Sequence, residues 1–218
     1  MFDFAQARRY MIEGQIRTNE ITDTPIVAAM HAVPRELFVS DSWQTLAYSD
    51  HEIPAVEGSS RKLLNPMVLG KLLKAADLQP GERVLMIGGC TGYGAALASR
   101  IAAEVVAVET PDLAAASTDA LRKGGFTNVV VVAGDLAAGC ADQPPFDAII
   151  IEGAVEVIPD GLAVQLKPEG RLVTVLGSGR SGQGTVFRAV GGELSGFPVF
   201  GAAAPVLPGF EQKREFVF

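Results

Sequence analysis

The chain has 218 residues, of which 48% are hydrophobic, and a formal net charge of -7 at pH 7. This length allows one substantial α/β core, and the acidic balance argues against a nucleic-acid-binding surface, which needs clustered Lys and Arg. No apolar run approaches the ~20 residues of a membrane span, and residues 1–10 lack the apolar region of a signal peptide. We therefore expect a single domain over residues 1–218, located in the cytoplasm.

A metal site is not expected from the composition. Cys90 and Cys140 are the only cysteines, and His31 and His51 are the only histidines. None of them has a Cys or His neighbour at the spacing of metal ligands. Both cysteines are therefore interpreted as free thiols.

The first third of the chain is predicted to be mainly helical. Residues 3–17 and 23–33 have helical patterns, and Asp23 is the expected N-cap of the second helix. A further helix is predicted to start at Asn65-Pro66 and to run to Ala76. Residues 46–64, which lie between these helices, have weak periodicity and are predicted to form a loop that lies over another part of the structure.

From residue 82 onward, short apolar runs alternate with segments of helical length, which is typical of a parallel sheet covered on both faces. The predicted strands, rich in Val, Ile and Leu and therefore expected to be buried on both faces, are residues 83–87, 104–109, 128–133, 146–151 and 171–176. The predicted helices are residues 92–103, 111–123 and 159–166. Residues 185–190 and 193–206 flank Gly191-Gly192 and are predicted to form an antiparallel pair at one edge of the sheet.

A glycine-rich turn follows the first predicted strand of this sheet, in the segment Ile87-Gly88-Gly89-Cys90-Thr91-Gly92-Tyr93. Such a turn lets the backbone approach a ligand closely, and the following helix supplies free N–H groups. The alternative is a tight turn without a ligand. The dinucleotide fingerprint G-x-G-x-x-G does not fit, because Cys90 and Tyr93 stand where it needs glycine.

Two acidic residues follow neighbouring strands at the same expected edge of the sheet. Glu109 ends the second strand and can accept both hydroxyls of a ribose, although it is alternatively a solvated carboxylate. Asp135 follows the third strand and can accept a hydrogen bond from an adenine amino group. Since open α/β sheets bind ligands at the carboxyl ends of their strands, the loop and both acids together predict a nucleoside-containing cofactor.

At this point the sequence resembles the protein-L-isoaspartate O-methyltransferase family over nearly its whole length. The segments that carry the resemblance are residues 11–17 (MIEGQIR), 21–23, 33–39 (VPRELFV), 47–50, 84–93, 106–109, 134–135, 145–150 and 166–173. The resemblance implies a Rossmann-like S-adenosylmethionine-dependent methyltransferase fold: a seven-stranded, mostly parallel sheet with an antiparallel edge pair and extra N-terminal helices. Residues 1–80 would form the helical and active-site-loop region, and residues 81–218 the cofactor-binding sheet.

The implied reaction transfers a methyl group from S-adenosylmethionine to the free carboxylate of an L-isoaspartyl residue in a damaged peptide or protein. Such a carboxylate is already ionised at neutral pH, so no general base is needed. The predicted cofactor-binding residues are Gly88, Gly89, Cys90, Gly92 and Tyr93 around the methionine part, Glu109 at the ribose, and Asp135 with Leu136 at the adenine.

Several positions depart from the family's pattern. The family has an active-site serine ahead of the helix that starts at Pro66, where this chain has Leu64 in a loop two residues longer. Ser59 and Ser60 are the candidate catalytic residues, while residues 59–62 are alternatively a solvated loop tip. Met86 replaces an acidic residue, Cys90 a glycine, and Glu152 a small or hydroxyl residue.

These departures keep three functions open. The chain is predicted to methylate isoaspartyl residues, or to use S-adenosylmethionine on a different acceptor, or to bind the cofactor without turnover.

Overall fold

The computed structural model describes residues 2–143, 145–190 and 193–212. Its nine strands in these ranges are β1 Ile53–Pro54, β2 Lys62–Leu63, β3 Arg83–Ile87, β4 Glu104–Glu109, β5 Val129–Ala133, β6 Phe146–Val155, β7 Leu166–Leu176, β8 Gln183–Val190 and β9 Glu193–Gly201. The α-helices are α1 Phe4–Met11, α2 Thr24–Ala32, α3 Pro66–Ala76, α4 Tyr93–Ala98, α5 Pro111–Lys123 and α6 Asp160–Ala163.

The large sheet has the strand order β5-β4-β3-β6-β7-β8-β9, and β1 and β2 form a separate antiparallel pair. Strands β3 to β7 are mutually parallel, whereas β8 and β9 are antiparallel to their neighbours. The predicted seven-stranded, mostly parallel sheet with an antiparallel edge pair is thus confirmed. The predicted Gly191-Gly192 turn lies outside the described residues.

The order of the strands positions the ligand-binding edge. Strand β3 is the third strand of the seven, and the chain continues to opposite sides of it, so that β4 and β6 flank it. This is the topological switch at which open α/β sheets bind ligands, beyond the carboxyl ends of the strands. The glycine loop after β3 therefore lies between the ends of β4 and β6.

Several predicted helix bounds are corrected by the structure. The segment 3–17 is α-helical only as far as Met11 and continues as a π-helical turn over Ile12–Ile16, which leaves Ile12 and Ile16 fully buried. Asp23 precedes α2, but its side chain makes no capping hydrogen bond within the described residues. Asn65 does cap α3, because its Oδ1 accepts the Met67 N–H at 2.8 Å.

Two helices after the glycine loop are shorter than predicted. Helix α4 ends at Ala98 instead of residue 103, because the chain must turn to place the Ala103 N–H on the Glu82 carbonyl at 3.0 Å and to start β4 beside β3. The predicted helix 159–166 is reduced to α6, since Leu166 already pairs with Phe146 in the sheet.

Strand β5 corrects the expectation of strands buried on both faces. It forms one edge of the sheet, and Val130 is 52% exposed. Strand β9 ends at Gly201 rather than at residue 206. The chain then returns to β6, where Val206 makes a parallel bridge with Ala154.

Each face of the sheet has its own apolar core. On one face, side chains of β3 and β4 pack with the N-terminal helices and α3 to α5, and Met86 belongs to this core. On the other face, Leu85, Ile87 and Val106 pack with Leu207 and Phe210 from the C-terminal segment. None of the helices in the described ranges has the length and apolar character that a membrane span requires.

Arg171, on β7, connects the sheet to the end of α3. Its guanidinium donates to both Glu82 oxygens at 2.7 Å and to the Asp77 carbonyl at 2.9 Å, and it also reaches the Ala76 carbonyl. The Arg171 side chain is only 8% exposed. A bidentate, largely desolvated pair of this kind fixes the position of the helix end that it satisfies.

We expect Arg171→Leu to lower the free energy of unfolding by about 3 kcal/mol, because it leaves the Glu82 carboxylate and two carbonyls without their donor. Urea denaturation at pH 7 measures the change. Arg122→Leu is the matched control, since Arg122 pairs with Asp119 at 72% and 63% side-chain exposure. The control should cost less than about 1 kcal/mol, and an equal loss in both variants would contradict the role of Arg171.

Candidate active site

The glycine loop makes three backbone turns into the left-handed region. The φ angles are 75° at Gly88, 57° at Cys90 and 91° at Gly92. Cys90 therefore has a conformation that favours glycine, and a side chain there costs about 1 kcal/mol or more. The Gly88 N–H donates to the Val108 carbonyl at 3.0 Å, which ties the start of the loop to β4.

Glu109, at the end of β4, organises the loop. Its Oε2 accepts the Cys90 N–H at 2.6 Å, and its Oε1 accepts the Thr110 N–H at 2.8 Å. Glu109 is only 2% exposed, which excludes the alternative of a solvated carboxylate. The residue predicted to hold a ribose is thus at the expected edge, and both of its oxygens are engaged.

Arg61 is the third partner of Glu109, and the sequence interpretation missed it. Its Nη1 lies 3.1 Å from Glu109 Oε1 and its Nη2 3.3 Å from Oε2, while Nη2 also donates to the Gly88 carbonyl at 2.9 Å. The Arg61 side chain is 13% exposed. The alternative of a solvated loop tip is therefore wrong for Arg61, which contacts Glu109, a residue 48 positions later in the sequence.

The two candidate catalytic serines lie in the turn before Arg61. The Ser59 hydroxyl accepts the Arg61 N–H at 3.0 Å, and Ser60 is exposed. In the described part of the chain, neither hydroxyl has a hydrogen bond to the glycine loop or to Glu109. Leu64, at the position of the family's serine, is buried and its carbonyl accepts Arg35 Nη2 at 2.8 Å.

A second side chain, Leu207, covers the loop from the opposite side. The Ala154 N–H donates to the Pro205 carbonyl at 2.8 Å, and the Leu207 N–H donates back to the Ala154 carbonyl at 3.0 Å. A Cβ atom at Gly88 would lie 2.5 Å from the Leu207 side chain, and one at Gly153 2.4 Å from it. Arg61 and Leu207 together form the cover of the loop.

Glu152, on β6, is buried against the loop rather than exposed to solvent. It is 5% exposed, and its Oε1 has no hydrogen-bond partner among the described residues. A Cβ atom at either Gly89 or Gly94 would lie 2.3 Å from a Glu152 oxygen. Burial, together with the charge of Glu109, raises the pKa of Glu152 to about 8, so the carboxyl group is mostly protonated at neutral pH.

The remaining predicted cofactor residues differ in their position. Asp135 is exposed at the same edge of the sheet, and its Oδ1 accepts the Ala137 N–H at 3.0 Å. Leu136 is buried in the core with Leu207. The Tyr93 side chain points away from the edge into the N-terminal layer, where its ring packs under Arg35 at 4.7 Å from the guanidinium carbon. Only the backbone of Tyr93 therefore faces the loop.

Comparison with known proteins identifies the family. The sequence model described as "Protein-L-isoaspartate(D-aspartate) O-methyltransferase" matches residues 6–193. The chain belongs to this family. A protein-L-isoaspartate O-methyltransferase of Roseiflexus castenholzii is 41% identical over 182 residues, which are 83% of this chain and 82% of that protein. One of Koribacter versatilis is 39% identical over 176 residues, which are 80% and 78% of the two chains.

Two solved structures support the fold. A structure named protein-L-isoaspartate O-methyltransferase aligns with a TM-score of 0.82 at 24% identity and covers 93% of this chain and 66% of that one. A putative family member from Plasmodium falciparum, solved with S-adenosyl-L-homocysteine, has a TM-score of 0.77 at 16% identity and covers 95% and 99% of the two chains. The N-terminal helices and the sheet are thus the arrangement of this family.

Membership makes the chain an S-adenosylmethionine-dependent methyltransferase of the isoaspartyl type. The residues around the loop fit this cofactor, because the glycines leave backbone accessible and acidic side chains end two strands. A ribose at Glu109 would have to displace Arg61, because the guanidinium now lies against both carboxylate oxygens. The fit therefore requires a movement of the Arg61 side chain.

We expect Glu152→Gln to raise the free energy of unfolding at pH 7.5 by roughly 2–4 kcal/mol, because the amide is neutral without a bound proton. The carboxyl pKa is about 8 in the folded chain and ~4.3 in an unfolded one. Between these values folding takes up a proton, so the wild-type stability falls as the pH rises from ~4.3 to ~8.

Urea denaturation of both proteins at pH 5 and pH 7.5 measures this effect. The advantage of Glu152→Gln should be larger at pH 7.5 by roughly 2–3 kcal/mol. Glu13→Gln, at a side chain that is 63% exposed, should show almost no difference between the two pH values. An advantage of Glu152→Gln that is equal at both would show that Glu152 is ionised in the folded chain.

Proposed function

We propose that this chain methylates the free carboxylate of L-isoaspartyl residues in damaged proteins, with Glu109, the glycine loop and Asp135 holding S-adenosylmethionine. The observation that carries the proposal is the glycine loop joined to Glu109 at the carboxyl edge of the sheet, in a chain of this family. We further propose a single domain over residues 1–218 and a cytoplasmic location, where isoaspartyl proteins are the acceptors.

The bound cofactor supplies an electrophilic methyl group on a sulfonium. The residues of this chain then have to bind the cofactor, orient the acceptor carboxylate towards the methyl group and exclude water from between them. Glu109 accepts hydrogen bonds from the ribose, and Asp135 accepts one from the adenine. The backbone of Gly88, Gly89 and Cys90 lies along the methionine part. Gly92 allows the turn into α4, and Leu136 packs under the adenine end.

No general base is assigned, because an isoaspartyl carboxylate is ionised at neutral pH. The burial of the loop suits a reaction of this kind. Cys90 and Glu109 are 1% and 2% exposed, and exclusion of water from a carboxylate nucleophile increases its reactivity. The Cys90 thiol does not compete as a nucleophile, because burial raises its pKa to about 12. Arg61, once released from Glu109, lies on the loop that faces the acceptor and supplies a positive charge for its carboxylate.

Ser59 and Ser60 remain the proposed catalytic residues in place of the family's serine. Both precede Arg61 in the turn between β1 and β2, and the Ser59 hydroxyl holds the Arg61 backbone. A rotation of the Arg61 side chain away from Glu109 leaves this backbone contact intact, so the serines stay in the turn beside the released guanidinium.

The experiment that tests the proposal is a titration with S-adenosylmethionine by calorimetry, followed by addition of an isoaspartyl peptide and detection of S-adenosylhomocysteine and peptide methyl ester. The control peptides carry a normal aspartate or an isoaspartyl residue whose carboxylate is an amide. Methyl ester on the isoaspartyl peptide alone supports the proposal. Binding without methylation of any peptide would indicate a different acceptor or a relative without turnover.

We expect Arg61→Gln to bind S-adenosylmethionine about tenfold more tightly than the wild type, because the ribose no longer competes with a guanidinium for Glu109. Glu109→Gln should bind at least about tenfold more weakly, since it loses a charged acceptor. Calorimetry measures both. Arg122→Gln on the surface of α5 is the control, and an Arg61→Gln affinity equal to that of the control would contradict the competition.

A further inference from the structure

Glu152 is a buried carboxyl group to which the reaction described above gives no part. Its Oε1 has no hydrogen-bond partner in the described ranges, and the residue is 5% exposed. A buried carboxyl oxygen without a hydrogen-bond partner is destabilising, because it has lost its contact with water and gained nothing in return. Such a group calls for a ligand that satisfies it.

Glu152 lies against the glycine loop, where the methyl donor is proposed to bind, so the donor is the ligand expected to contact it. Its oxygens lie so close to Gly89 and Gly94 that a Cβ atom at either position would clash at 2.3 Å. Glu109 and Glu152 thus flank the glycine loop from β4 and β6, the two neighbours of β3. Glu109 has three hydrogen-bonding partners, whereas Glu152 Oε1 has none within residues 2–143, 145–190 and 193–212.

Three charged groups act on Glu152, and no ion pair joins it to a cation in the part of the chain that the structure describes. They are Glu109 from β4, Arg35 from the segment before β1, and Arg61 from the β1–β2 turn. Arg35 donates to the Ala47 and Leu64 carbonyls, both at 2.8 Å, and Arg61 is held by Glu109. The nearby Cys90 thiol is neutral, since burial raises its pKa to about 12.

We propose that Glu152 receives a cationic group of the methyl donor, so that binding of S-adenosylmethionine ionises Glu152 and releases one proton to solvent. This inference rests on the proposed function, because it assumes that the donor binds along the glycine loop. The donor has two cationic groups, its sulfonium and its amino group, and either satisfies a carboxylate. After methyl transfer the sulfur is a neutral thioether, so a contact with the sulfonium would favour the donor over the product.

The test is calorimetric titration with S-adenosylmethionine at pH 7 in two buffers of different ionisation enthalpy. The wild type should release close to one proton per molecule bound, and its affinity should rise roughly tenfold from pH 6 to pH 7, a range in which the donor's amino group stays mostly protonated. Glu152→Gln, which is expected to fold more stably, should release no proton and show a flat pH profile. Glu13→Gln should behave as the wild type.

Parallel titrations with S-adenosylhomocysteine identify the group in contact. Proton release with the donor alone assigns the sulfonium, and equal release with both assigns the amino group. Wild-type binding without proton release, or release retained by Glu152→Gln, would overturn the inference and leave the proposed function intact. Failure of all three proteins to bind S-adenosylmethionine would reject the donor site itself, and with it both proposals.

Discussion

The Glu109 carboxylate is the interaction on which the arrangement of the site depends. It receives the Cys90 N–H from the glycine loop, the Thr110 N–H at the start of α5, and the Arg61 guanidinium from the β1–β2 turn. Three segments that are distant in sequence therefore meet on one side chain. Charge-assisted hydrogen bonds in a site with little water are stronger than neutral ones, so the loop, the helix start and the turn hold one another in place.

The two buried carboxyl groups at this edge, Glu109 and Glu152, differ in their hydrogen-bond partners. Glu109 pairs with the Arg61 guanidinium, whereas Glu152, on the other side of the loop, has no such ion pair among the described residues. Both carboxyl groups are buried, and the charge of Glu109 raises the cost of ionising Glu152. A ligand that brings positive charge to Glu152 would lower the free energy needed to ionise it. If the same ligand displaces Arg61 from Glu109, the guanidinium is free to face an acidic acceptor.

The elements with clear boundary signals could be predicted from the sequence. Strands β3 and β4 and helix α5 have the predicted bounds, because charged or proline residues delimit each of them. Glu109 was predicted at the ligand edge for the same reason, since it ends a run of apolar residues. The length of α4 could not be predicted in this way, because it is set by the distance to β4 rather than by its own residues.

Burial of polar side chains was the part that local sequence did not reveal. Arg61 lies in a segment that has the composition of a solvated turn, and its contact with Glu109 depends on how residues 53–63 fold over β3. Glu152 was recognised as unusual for the family, but only the packing of Gly89 and Gly94 against it shows that it is enclosed. Arg35 is likewise fully buried, although nothing in the surrounding residues indicates this.

The two side chains that cover the glycine loop, Arg61 and Leu207, come from segments outside the strands that carry the loop. Leu207 comes from a segment that crosses back to β6 after the last strand. Arg61 comes from the turn between the short strands β1 and β2, outside the large sheet. The Leu207 segment joins the large sheet at the end of β6, through Ala154. Insertions and substitutions in these two segments can therefore change the cover of the glycine loop while β3, β4 and β6 keep their pairing.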